Sequence, residues 1–372
     1  MDTNLLPALD PAGLPGPTWL FHVLLVFTFF LHMLFMNLTL GGTIVGWIAH
    51  LRSSDKPDDA NGVLAARLVK LNGFGISLTI TTGVAPLLFV QILYQQFFYS
   101  ATILLGWIWF AFLVILTLGY YSIYLYKFSG KARGGRGRGI WLGLSALAFV
   151  LIAMVHVAVN LIHAQPNLWT GFAANSLQVL GDAAYWPRLL HFILAGIAFS
   201  ALVMTWWASR QARHGIDASI NTAIARSGWR WALWSIALQV VDGFILLLVL
   251  PQDVLLGTMR GGVTTLAPLT LSILLGIGLL IMLARSMDPI AKPSLVTGTL
   301  AAMVLTVGVM SITRHQVRDL YLESAAPMMS PQVAPQWLNF SLFVILLLAA
   351  LATVYYMARR VLREPATGEN AA

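Results

Sequence analysis

Eight histidines occur in this chain, and six of them (His22, His32, His156, His163, His191 and His315) fall toward one end of its apolar segments. An ionisable side chain at membrane depth is costly and marks a functional site. Imidazole is also the side chain best suited to hold haem iron. His32 opens the stretch Leu31–Gly42, LHMLFMNLTLGG, whose small and hydroxyl residues leave room for something bulky. His156 and His163 are seven residues apart, a rise of about 10 Å and a rotation of only about 20°, so they share a helix face. His163 and His191 fall at similar depth, and His156 and His32 at a deeper one. The spacing therefore predicts two stacked haem sites, an outer one using His163 and His191 and a deeper one using His32 and His156. His22, about 15 Å nearer the surface than His32 and about 80° round the helix, serves the outer site or the lipid interface. Met154, Met303 and Met310 are alternative axial ligands. Arg188, Arg260, Arg314 and Arg318, read as outer-loop cations, could pair with haem propionates, and His315 sits among them. Metal binding without haem is disfavoured, because Asp242 is the clear carboxylate within an apolar segment and zinc or iron sites commonly add carboxylates. His50 and His214 read as interfacial.

The elements that must carry these residues are membrane helices. The chain is 58% hydrophobic and 10% charged, against about 25% charged for a soluble domain. Its formal charge of +8 does not signal nucleic acid, because the cations cluster between apolar runs. The absence of cysteine excludes disulfides, covalently attached c-type haem and thiolate-held iron–sulfur clusters. Segments of about 20 apolar residues lie at Trp19–His50, Leu71–Gln95, Ala101–Lys127, Ile140–His163, Pro187–Ser209, Trp229–Leu250, Thr265–Ala284, Ser294–Ile312 and Trp337–Ala358. The predicted fold is an all-α polytopic membrane helix bundle with nine transmembrane helices. It forms one domain, with residues 1–18 outside, 19–358 in the bundle and 359–372 as a cytoplasmic tail. Cations mark the loops around Arg52, Lys56, Arg67 and Lys70; Lys127, Lys131, Arg133, Arg136 and Arg138; Arg210, Arg213, Arg226 and Arg230; Arg285 and Lys292; and the tail at Arg359, Arg360 and Arg363. All five fall on one side, which predicts that side to be cytoplasmic and the N-terminus to be outside. The opposite loops are Gln96–Ser100, Ala164–Trp186, Pro251–Thr264 and Thr313–Gln336. Met1–Thr18 lacks a basic start and predicts no cleavable signal.

Several segments resemble subunit I of the cytochrome bd quinol oxidases. LHMLFMNLTLGG resembles that family's first-helix motif, whose His holds haem near the outer face. WPRLLHFILAGIAFSALVMTWW resembles its fifth helix, whose His holds a low-spin b haem. GVAPLLFVQILYQQFFYS, VNLIHAQPN and VVDGFILL resemble the ends of its second, fourth and sixth helices. The resemblance implies haem ligation by His32 and His191, and a bacterial inner-membrane location. It also exposes departures. Gln91, Gln95 and Gln96 stand where the family has a second-helix carboxylate, and Ser311–Arg314 contains no carboxylate ligand. GWIWFAFLVILTLG lacks the acidic proton path, APLTLSILLGIG lacks a Met ligand, and the quinol loop shrinks to Pro251–Thr264.

Reducing dioxygen requires an open coordination position and buried protons; imidazoles in place of carboxylates favour low-spin haem that carries electrons. The expected function is a haem b membrane subunit, with two or more haems, passing electrons between the quinone pool and an outer-face partner. That partner is a periplasmic c-type cytochrome or another redox subunit, and a quinone site is expected near Gln91–Tyr99 or Pro251–Thr264. The rivals are a divergent bd-type oxidase or other small-molecule reductase, and a haem transporter or assembly factor.

Overall fold

The computed structural model describes residues 11, 13–54, 59–129, 135–323 and 333–363. Parts of the predicted outer segment 1–18, of the tail 359–372 and of the loop Thr313–Gln336, together with Lys56, Lys131 and Arg133, lie outside the described residues. The chain is a bundle of α-helices: α1 (Thr18–Leu51), α2 (Ala60–Leu93), α3 (Gln95–Leu105), α4 (Trp107–Phe128), α5 (Gly139–Ala164), α6 (Trp169–Ala174), α7 (Tyr185–Arg213), α8 (Ala218–Leu248), α9 (Gln252–Arg260), α10 (Val263–Ala284), α11 (Pro293–Leu322) and α12 (Trp337–Arg363). Among the described residues no strand forms; one isolated bridge joins Leu14 to Val333.

Eight of these helices are long and apolar enough to cross a membrane. They carry the first eight predicted spans. The ninth prediction falls on α12, whose described apolar stretch, Trp337–Ala349, is shorter. Large apolar side chains such as Val23 and Phe27 on α1, Phe110 and Leu118 on α4, and Leu144 and Leu147 on α5 are exposed, as lipid-facing surfaces require.

The center of the bundle is the sandwich of α1 against α2 and α7, with α8 packed along α7 and α5 closing the side. Close approach of α1 and α7 needs glycine. A Cβ on Gly41 would lie 1.9 Å from the carbonyl oxygen of Gly196. Around that contact Ser200 Oγ donates to the carbonyl of Asn37 at 3.0 Å, and Asn72 Nδ2 of α2 donates to Thr43 Oγ1 at 2.8 Å. The small and hydroxyl residues of LHMLFMNLTLGG thus accommodate neighbouring helices, not a bulky cofactor as expected from sequence.

The structure corrects several boundaries. The predicted span Ala101–Lys127 is two helices, broken at Gly106, whose φ of 55° suits glycine. The expected loop Gln96–Ser100 is part of α3, and Pro251–Thr264 contains α9. The largest change is in α11, which continues through Leu322 and so makes Arg314, His315, Arg318 and Asp319 helical instead of loop residues. Hydropathy stops at the first charges, but charges do not end a helix, and α11 runs on with Arg314 over the Phe29 ring, Arg318 over the Tyr94 ring and Asp319 accepting from Tyr94. His50, read as interfacial, is buried, with its Nδ1 3.0 Å from the Tyr126 hydroxyl. His214 caps α7 and is exposed.

Candidate haem cavity and the histidine cluster beside it

His191 sits on α7, one to two turns from its start, and its Nδ1 lies 3.0 Å from Asp242 Oδ2 of α8. The carboxylate fixes the proton on Nδ1 and leaves Nε2 as an acceptor. The Gln239 amide lies 3.2 Å from that nitrogen, in position to donate to it. His191 lines a cavity of about 280 Å³ between α1, α7, α8, α10 and α11, near the lower end of the about 300–1,000 Å³ usual for ligand pockets. Its walls are mainly apolar, from Phe29, Met33, Phe192 and Ile236, with Met303 and Met310 contributed by α11. At one end stand three guanidinium groups, Arg188, Arg314 and Arg318. Arg188 Nη1 donates to Asn160 at 2.8 Å, and Arg314 lies over the Phe29 ring at 4.4 Å. Arg318 is 6% exposed, with Nε and Nη1 lacking any protein partner. The Asn37 amide, also a lining group, is buried with both its side-chain polar atoms unpaired. Buried polar atoms left open in this way mark a place completed by a ligand or water.

His32 and His156 show the same tautomer logic. His32 Nδ1 is 3.1 Å from the carbonyl of Thr79 on α2, and His156 Nδ1 is 2.9 Å from the carbonyl of Ile152. A carbonyl accepts only, so each Nδ1 carries the proton and each neutral ring presents a bare Nε2. Both face inward: His32 is about 180° round α1 from lipid-facing Val23, and His156 about 180° round α5 from lipid-facing Leu147. His156 is accessible, and its ring lies beside Trp109 and Phe112 of α4. The Gly83 position lies against the His32 ring, where a Cβ would come within 2.9 Å.

His163 is 2% exposed, and its Nε2 is buried without a protein partner. The structure does not place it with His191: it is absent from the residues lining the His191 cavity, and its ring lies against Tyr94 and Phe97 at 5.5 and 6.3 Å between centroids. The cavity that His191 lines is also lined by Met303 and Met310 of α11. Tyr94 joins His163 to a second group. His22 Nδ1 and His315 Nε2 share a hydrogen bond at 2.8 Å, His315 Nε2 is 3.5 Å from Asp319 Oδ2, and the Tyr94 hydroxyl donates to Asp319 Oδ1. Burial pushes the Tyr94 hydroxyl well above the usual phenol range, so it stays a donor. His22 therefore belongs to this cluster and not to the lipid interface.

Asp319, Tyr94, Gln239 and Asn37 were not singled out from sequence. His315 and Asp319 stand four residues apart, a signal visible once α11 is known to continue, and Asn37 lies inside the stretch that His32 opens. Arg260 ends α9 and does not line the cavity, and the expected quinone stretch Gln91–Tyr99 is helical and largely packed into the core.

No protein-family model matches this chain, and no curated protein does. Among solved structures, the bd oxidase from Geobacillus thermodenitrificans superimposes with a TM-score of 0.74 over 94% of this chain and 99% of that one, at 14% sequence identity. At that identity the likeness is one of fold.

Proposed function

We propose that this bundle, which shares the fold of a bd oxidase, is a haem b-containing membrane subunit that passes electrons between the quinone pool and a redox partner at its outer face. The observation that carries the reading is the His191 cavity. An imidazole oriented by a buried carboxylate, with the Gln239 amide beside its Nε2, apolar walls and three arginines at one end suit a flat apolar ring system bearing carboxylates. When bound, haem supplies one-electron transfer at its iron.

The chain's own residues divide the work. His191 Nε2, and Met303 or Met310 of the same cavity, would hold the haem iron. Asp242 holds the His191 ring in orientation. Arg188, Arg314 and Arg318 pair with the propionates, which fits the open Nε and Nη1 of Arg318. The apolar walls exclude water. His32 and His156, with bare Nε2 atoms in neighbouring interior positions, form a second candidate site. His163, packed against Tyr94 and Phe97 with an unpaired nitrogen, is a further ligand candidate. The bacterial inner membrane, an outside N-terminus and a periplasmic c-type cytochrome or similar redox subunit as partner complete the proposal.

The test is a reduced-minus-oxidised spectrum with pyridine haemochrome quantitation on purified protein. Two or more b haems per chain, no spectral response to carbon monoxide, and loss of one haem in His191→Ala are expected. A protein that binds no haem when cofactors are retained sinks the reading, while a carbon monoxide-responsive haem would favour a small-molecule reductase.

A further inference from the structure

At the end of the bundle where α1 begins and α11 ends, His22, His315 and Asp319 each offer a ligand atom, and these atoms lie within 4.8 Å of one another. We propose that these side chains bind one divalent transition-metal ion of the zinc class, at a site distinct from the His191 cavity, whose lining includes none of the three. The inference does not depend on the haem assignment.

The geometry comes from two helices. His315 and Asp319 are four residues apart on α11 and share a face, and α1 brings His22 to them. Metal–ligand bonds of about 2.0–2.2 Å in a tetrahedral arrangement put donor atoms about 3.3–3.6 Å apart. The 3.5 Å between His315 Nε2 and Asp319 Oδ2 already meets that spacing. The 2.8 Å between the two imidazoles needs to open by about half an ångström, a small side-chain rotation. Tyr94 occupies Asp319 Oδ1 and leaves Oδ2 for the ion, which is the supporting hydrogen bond that ligating carboxylates usually receive. Two imidazoles and one carboxylate are the donor set of zinc and ferrous sites; calcium and magnesium call for oxygen donors. Three protein ligands leave a fourth position for water or a small molecule. Arg318, over the Tyr94 ring at 5.1 Å, opposes a second cation nearby and weakens the site without closing it.

The experiment uses full-length protein in detergent, stripped with EDTA and dialysed against zinc chloride. Zinc is counted by mass spectrometry, and haem separately by pyridine haemochrome. One zinc per chain is expected. His315→Ala and Asp319→Asn reduce it to background, and Tyr94→Phe weakens uptake by about 10- to 100-fold, all with haem content unchanged. Zinc should also protect His22 and His315 of the unmodified protein from diethyl pyrocarbonate, a readout that needs no variant to fold. Absent uptake, uptake indifferent to these substitutions, or no protection would overturn the site, and the haem count judges the haem reading independently.

Discussion

Three imidazoles, His32, His156 and His191, are fixed in one tautomer by three unlike acceptors: a backbone carbonyl across a helix pair, a carbonyl of the same helix, and a carboxylate. The carboxylate is the one that can be altered without moving backbone. Asp242→Asn keeps an oxygen acceptor but removes the carboxylate beside His191. Haem at that site should be retained about 10- to 100-fold less well, and its midpoint potential should rise, because ferric iron is stabilised less without that carboxylate. Potentiometric titration with haem quantitation checks both. For His32 the lever is steric. Gly83→Ala places a methyl group within 2.9 Å of the ring, so the haem assigned to His32 should be lost or altered in the optical spectrum while the His191 signal stays.

At the scale of elements, two contacts decide where these residues stand. The α1–α7 crossing at Gly41 and Gly196 brings His32 and His191 onto neighbouring helices of one core. Gly41→Ala has no room and must push the helices apart, at a cost of about 1–3 kcal/mol, read as a lowered thermal unfolding temperature in detergent. Gly73→Ala, on the adjacent α2 with nothing within 4 Å of its Cβ, should leave that temperature unchanged. The other contact is the continuation of α11 past its apolar stretch. It turns Arg314 and Arg318 into cavity residues and sets His315 and Asp319 one turn apart.

At the scale of the whole molecule, the helix ends near Lys127, Arg138, Arg210 and Arg226 lie opposite those that carry His22, Tyr94, His163, Arg188 and Asp319. The positive-inside bias then predicts the histidine cluster to be outside. Because the chain has no cysteine, single introduced thiols report topology cleanly. Gly137→Cys, between α4 and α5, should react with an impermeant maleimide only in inverted vesicles. Gly181→Cys, between α6 and α7, should react only in intact right-side-out vesicles. The opposite pattern would place the cluster on the cytoplasmic side and reverse the direction assigned to the redox partner.

Hydropathy and charge alone determined that this chain forms a helical membrane bundle, and helical spacing that His156 and His163 share a face of α5. Both follow from local physics, since lipid demands internally satisfied backbone and each helix has a fixed angular period. Partnership required the fold. The joining of His191 to Asp242, of His22 to His315, and of Arg314 and Arg318 to an apolar cavity depends on helix pairs distant in sequence. That the charged turn Arg314–Asp319 meets Tyr94, His22 and the cavity is information that no property of the segment by itself contains.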